Sequence, residues 1–193
     1  PFYPSADSLN QANNMLEVST GSKEPESNSL LYYEIKKFSE FLQSANRHQI
    51  EERPNEAFLF RVIALDLLFG DKSKTTENIA KRVSSIVHKQ LESSYQDCKK
   101  QVKKMYDSRS NFVHKGEIPE NEAFIKTSKI ICEEVLFCVL TVSSKKQFKG
   151  YDEWISHIDW VHASLEANKE LDRNDYLKMG LAADFKFRKT NIN

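Results

Sequence analysis

Tyr106-Asp107-Ser108-Arg109-Ser110-Asn111-Phe112-Val113-His114-Lys115-Gly116 reads as the end of a long amphipathic helix. The stripe leading into it is regular: Tyr95, Cys98, Val102, Met105 and Phe112 recur at steps of three, four, three and seven, the spacing of one inward helix face. Arg109 falls on the same stripe, four residues after Met105 and seven after Val102. A permanent charge at a core-facing position requires a carboxylate, a phosphate or a water-filled cleft, because burying it unpaired is very costly. His114 follows five residues later, about 140° around the helix and roughly 7–8 Å along it. The two therefore face one groove, within reach of a single phosphodiester. Gly116 supplies the permissive backbone at which helices end.

Working upstream, a helix over about Asn55 to Phe69 is apolar nearly all round and belongs at the centre of a bundle or against a second subunit. Only Arg61 and Asp66 interrupt it. Asp66 demands a partner, which Arg109 or Arg82 supplies. A turn at Gly70-Asp71-Lys72-Ser73 leads into a helix from Thr75 to about His88, with Thr75 as cap, Asn78 three residues on, and Ile79, Val83, Ile86 and Val87 as its inner face. Helix four then runs from about Glu92 to Val113. A first helix, Ser29 to Ala45, carries Leu30, Leu31, Ile35, Phe38, Phe41 and Leu42 inward, and the polar stretch Arg47 to Asn55 with Pro54 breaks it from the second.

Downstream, Pro119 opens a fifth helix, read as the second core helix and antiparallel to helix four. A sixth, Tyr151 to about Leu165, uses Trp154, Ile155, Ile158, Val161 and Leu165. His157 and His162 on it, with Asp159 between, read as exposed residues of a partner-facing helix rather than metal ligands. The predicted fold is all-α, an antiparallel bundle of about five to six helices. Residues 1–29 form a polar arm or linker, 30–165 the helical domain and 166–193 an extension with a basic end at Lys186, Arg188 and Lys189.

The 193 residues carry 28 basic and 28 acidic side chains, so no global field advertises a polyanion or a membrane, and any such site is local. Lys99, Lys100, Lys103, Lys104 and Lys115 form the local basic patch beside Arg109 and His114, either a solvated helix face or a lead-in for a polyanion. Tyr106 offers a stacking face for an unpaired base, or is a rim tyrosine. Cys98, Cys132 and Cys138 lie in apolar stretches without metal-like spacing and read as reduced core thiols of a cytoplasmic protein. No apolar run is long enough to span a bilayer and no signal peptide is present; a start at Pro1 reads as a fragment of a longer chain. Gly-rich phosphate loops, Cys-x-x-Cys pairs and Gly-x-Ser-x-Gly are absent from the sequence.

The helix end Tyr106–Gly116 resembles the Arg-x4-His signature of HEPN domains, small all-helical modules of prokaryotic toxins and antiviral defence ribonucleases. It looks most like the Apea-like branch, with its Tyr-x-x-Arg-Ser-x-x-Val-His-Gly helix end. Ala64-Leu65-Asp66-Leu67-Leu68-Phe69-Gly70 is similar to that branch's Ala-Leu-Glu-x-Leu-Phe helix, and Ala80-Lys81-Arg82-Val83 to its Glu-Arg-Val/Ala helix. The matches occur in order and cover about Phe58 to Val142. Arg82 and His88 form a second pair at a spacing the family tolerates, but the neighbours of Arg109 and His114 fit better.

The resemblance implies an up-and-down four-helix core and a metal-independent endoribonuclease without cofactor, with two motifs facing each other across a homodimer. It implies single-stranded or transfer RNA as substrate, a 2′,3′-cyclic phosphate and a 5′-hydroxyl as products, and a neutralising partner protein. His114 would serve as base or acid near neutrality, and Arg109 would hold the phosphate by two parallel hydrogen bonds. Asp66 would orient Arg109, although it is one methylene shorter than the more usual Glu. Tyr106, Ser110, Asn111, Lys115 and Arg82 are the candidate substrate contacts. Two alternatives stay open. One is a non-catalytic HEPN module for dimerisation or nucleotide or RNA binding in a larger protein. The other is a bare helical interaction domain, with Arg109 satisfied internally and His114 turned to solvent.

Overall fold

A computed structural model describes residues 29–71, 75–115, 122–145 and 148–181, and every regular element among them is an α-helix. In chain order these are α1 (Ser29–Ile50), α2 (Pro54–Phe69), α3 (Thr75–Val87), α4 (Tyr95–Lys115), α5 (Glu122–Lys145), α6 (Tyr151–Glu166) and α7 (Arg173–Lys178). The fold is an all-α bundle. The arm before Ser29, Gly116, Pro119 and the basic end from Lys186 to Lys189 lie outside the described residues, as do the side chains of Leu30 and Leu31.

Helix α2 is central, as its lack of a polar face requires. It packs chiefly on α1, then on α5, and also meets α3 and α4. Its Phe58, Val62, Ala64, Leu65, Leu68 and Phe69 are wholly buried. The second central helix is α3 rather than α5. It packs mainly on α4, then on α6, and touches α2 and α5 as well. Besides its expected inner face, it buries Ala80, Ser84 and Ser85. Small side chains let neighbouring helices approach from several sides, which a reading of apolar spacing overlooks. The expected side-by-side pairing of helices four and five also changes: α4 lies chiefly on α3, and α5 on α2.

Helix ends follow local backbone chemistry. The first helix continues through Arg47 to Ile50, because polar residues are tolerated on its outer face. Pro54 disfavours a helical Arg53, and Glu52 turns the chain with a φ of 58°. Helix α4 starts at Tyr95, three residues later than expected, because Glu92 is left-handed at φ 51°. At the start of α3, Thr75 does not act as a cap. Its hydroxyl donates to the Asp71 carbonyl at 2.6 Å, and the Asn78 amide donates to the Asp71 carboxylate at 2.5 Å.

Helix α7, unassigned from the sequence, opens with a capping box. Asp172 accepts from the Asp175 amide at 2.9 Å, and Asp175 accepts from the Asp172 amide at 3.1 Å. Tyr176, Met179 and Leu181 anchor it in the core. Cys98, Cys132 and Cys138 are buried free thiols. Among the described residues no helix is long and apolar enough to cross a membrane.

Candidate functional site

Three elements converge beside the end of α2. Asp66 comes from its last turn, Thr75, Thr76 and Glu77 from the first turn of α3, and Lys103 and Tyr106 from the middle of α4; together they line a groove of about 470 Å³. Gly70 makes this convergence possible. Its amide donates to the Asp66 carbonyl at 2.8 Å. A Cβ at Gly70 would stand 2.5 Å from both that carbonyl and Asp66 Oδ1. The chain folds back against Asp66 so closely that only glycine fits.

Tyr106 is the hinge of the site. It is 8% exposed, and its hydroxyl interacts with Asp66. Burial, and then the Asp66 carboxylate, push its pKa up to about 12 against the opposing pull of Arg109. The hydroxyl is therefore a neutral donor throughout the physiological range. On the ring, the Arg109 guanidinium carbon sits 5.7 Å from the centroid, a cation–π contact. The expected ion pair between Asp66 and Arg109 is not formed: among the described residues Asp66 pairs with neither Arg109 nor Arg82. The short aspartate meets the tyrosine hydroxyl instead.

Arg109 is half-buried, and its Nε is shut from solvent with no hydrogen-bond partner among the described residues. A buried donor left unmade costs about 1–3 kcal/mol. His114 is exposed in the last turn of α4. Neither Arg109 nor His114 lines the groove itself. Ser110 is half-buried, while Asn111 and Lys115 are exposed.

The remaining candidates are placed elsewhere. Arg82 donates from Nε and Nη2 to the two oxygens of Asp159, each at 2.9 Å, and from Nη1 to the Phe69 carbonyl at 2.7 Å. It ties α3 to α6 and to the end of α2, and the Asp159 carboxylate holds its pKa above the ordinary arginine value. Lys99 is likewise engaged, 3.2 Å from Glu77 and 2.9 Å from Glu166. The basic patch is therefore narrower than its sequence suggests.

His157 and His162 do not form an exposed partner-facing row. His157 donates from Nε2 to the Asp175 carbonyl at 3.3 Å, joining α6 to α7. His162 Nδ1 lies 2.5 Å from the Tyr95 hydroxyl. Burial lowers the His162 pKa, and burial raises that of Tyr95, so the phenol donates and the imidazole accepts. Among the described residues no group of three or more His, Cys, Asp or Glu is placed to hold a metal ion.

Sequence reasoning gave Arg61 no role, yet it is 2% exposed. It donates weakly, to the Ile125 carbonyl at 3.5 Å and to Gln49 Oε1 at 3.4 Å. The signal was an arginine inside an otherwise apolar helix. No family model matches this chain, and neither a curated protein nor a solved structure matches it.

Proposed function

We propose that this protein is a HEPN-like, metal-independent endoribonuclease, in which Arg109 and His114 act on an RNA phosphodiester in the cleft of a homodimer. The observation that carries the reading is the half-buried guanidinium of Arg109, which rests on Tyr106 and makes no ion pair among the described residues. A guanidinium seated on an aromatic ring, and without a carboxylate partner among the described residues, can present a donor to a phosphate oxygen. The resemblance of Tyr106–Gly116 to the Arg-x4-His helix end supports the same assignment.

In this reading His114 takes the proton of a ribose 2′-hydroxyl. The 2′-oxygen attacks phosphorus, the bond from phosphorus to the 5′-oxygen breaks, and Arg109 stabilises the added negative charge. The departing 5′-oxygen takes a proton from the motif of the second copy. The products are a 2′,3′-cyclic phosphate and a 5′-hydroxyl. Asp66 acts through Tyr106, fixing the ring on which Arg109 rests, and is a positioning residue.

The test is incubation with labelled single-stranded RNA and transfer RNA in EDTA, beside Arg109→Ala and His114→Ala. Cleavage by the parent alone, ending in cyclic phosphate, is the expected result. Equal cleavage by all three would mark contamination and sink the proposal. A second reading, a non-catalytic RNA-binding HEPN module, is favoured by the exposure of His114 and its position outside the groove. It expects RNA binding, dependence on Arg109 and no cleavage.

A further inference from the structure

The groove beside Arg109 has a chemistry of its own. Its two carboxylates are not equivalent. Glu77 is matched by Lys99 at 3.2 Å and Lys81 at 3.7 Å, and against the opposing effect of burial these neighbours, with the charge of Lys103, hold its pKa below the usual range. Asp66 makes no ion pair among the described residues, and its one neighbour of note is the Tyr106 hydroxyl. Across the groove, Lys103 has no carboxylate within ion-pair distance among the described residues, although its charge acts on Glu77. The groove thus offers an acceptor on α2 that makes no ion pair among the described residues and, on α4, a lysine that acts on Glu77 without closely pairing with it, with Thr76 on the α3 side. Its volume is about 470 Å³, and it is an open surface groove that would leave one face of a bound base toward solvent.

From this juxtaposition we infer that the groove is a recognition pocket for an unpaired guanine base. A carboxylate binds best to two parallel donors, the fork that makes arginine its preferred partner. Among the four RNA bases only guanine presents that fork, through N1–H and the N2 amine. Cytosine and adenine each place a ring acceptor beside their amine, and uracil flanks its N3–H with two carbonyls; each sets an acceptor against the carboxylate. Guanine also carries the complement to Lys103, because O6 and N7 accept from lysine or arginine. Asp66 reads N1–H and N2, and Lys103 reads O6 or N7. This inference takes RNA as the source of the base from the proposed function, while the pocket chemistry itself would serve equally for a free guanine nucleotide.

The experiment measures binding of labelled 2′-O-methyl octanucleotides, which cannot be cleaved. One carries a single guanine, one inosine at that place and one adenine. Inosine lacks only the N2 amine. Parent, Asp66→Asn and Lys103→Met are compared, with guanosine monophosphate as competitor and cleavage of ordinary RNA measured alongside. Lys103 is exposed, so its variant keeps the test open if Asp66→Asn fails to fold.

The parent is expected to bind the guanine oligomer about tenfold more tightly than the inosine one, and inosine more tightly than adenine. Asp66→Asn should bring guanine and inosine level, and Lys103→Met should reduce the advantage of both over adenine. Equal affinity for the three oligomers, or a guanine preference that survives both variants, overturns the inference. Guanine preference without cleavage supports the pocket and retires the ribonuclease; cleavage without base preference retires the pocket and leaves the ribonuclease. Competition by guanosine monophosphate with no RNA binding supports the pocket with a free nucleotide as its ligand.

Discussion

Arg61 and Arg109 occupy positions where an apolar side chain would be expected, and they meet the cost of desolvation differently. Arg61 is enclosed between α2, the Ile125 carbonyl and Gln49, and among the described residues it has no ion pair. Burial lowers its pKa, with Cys132 and Glu133 opposing. Arg61→Met keeps the length and removes the charge; it is expected to be near neutral, because relief of desolvation offsets two long hydrogen bonds worth about 0.5–1.5 kcal/mol each at most. Thermal denaturation reads this, and a fall in midpoint would show Arg61 to be a net contributor. Arg109 keeps one side toward solvent and the other on Tyr106. Tyr106→Phe removes the contact with Asp66 but keeps the ring. The variant should retain most stability, within about 1.5 kcal/mol for one hydrogen bond, while weakening RNA cleavage by loosening Arg109; unchanged cleavage would detach Asp66 from the site.

At the scale of elements, two glycines set where helices sit. Gly70 has ordinary extended backbone, φ −70° and ψ 152°, so its requirement is purely one of space against Asp66. Gly70→Ala is expected to displace Asp66 and thus to change the groove more than the bundle. Its measure is a larger loss in guanine-oligomer affinity than in melting temperature; the reverse ordering would place Gly70 in stability alone. Gly180 is different. Its φ is 94°, and a Cβ there would stand 2.2 Å from the Cys138 carbonyl. Left-handed backbone alone costs a non-glycine residue about 1–2 kcal/mol, and the clash adds to it. Gly180→Ala should release α7 from α5, measured as earlier denaturant unfolding and faster proteolysis after Glu166; an unchanged midpoint would contradict this close packing.

How legible these elements were depends on where their signals lie. The core stripe of α4 is readable because Tyr95, Cys98, Val102 and Met105 obey one period, and all are buried. The end of α1 is misplaced by sequence because polarity is a weaker stop signal than Pro54, which acts several residues later. Helix α7 is a single capped turn or two whose anchors, Tyr176 and Met179, are too few to show a period. The Asp66 and Tyr106 contact joins residues forty positions apart, and no spacing rule reaches that far. The role of Arg82 is hidden for the same reason, since its partner Asp159 lies on a distant helix.

For the whole molecule, the helices around α3 are joined by histidines that the fold keeps neutral. Burial lowers the pKa of His88, whose Nδ1 donates to the Ser84 carbonyl at 2.8 Å, with Lys89, Tyr95 and Tyr176 around it. Burial lowers that of His162 too, facing Tyr95, Glu166, Lys81, Lys99 and Asp159. Below the ordinary histidine value of 6.5, the unfolded chain takes up protons that the folded one resists. Stability contributed by these groups is therefore complete above that value, and is lost as pH falls through it toward the folded values. A melting midpoint level above pH 7 and declining as pH falls to about 5 is expected, with a shallower decline in His162→Gln. A midpoint indifferent to pH across that window would show that neither histidine is held neutral.

The central claim is that Arg109 waits for a phosphate, and the most direct measurement is the salt dependence of binding to a non-cleavable single-stranded 2′-O-methyl oligonucleotide. Parent and Arg109→Ala are compared across a range of salt concentrations, with circular dichroism confirming that both are folded. Loss of one phosphate contact should weaken binding and make the slope of log affinity against log salt shallower by about 0.7 for a single strand. The same affinity and slope in both proteins would mean that Arg109 touches no phosphate, and the ribonuclease reading would fall with it.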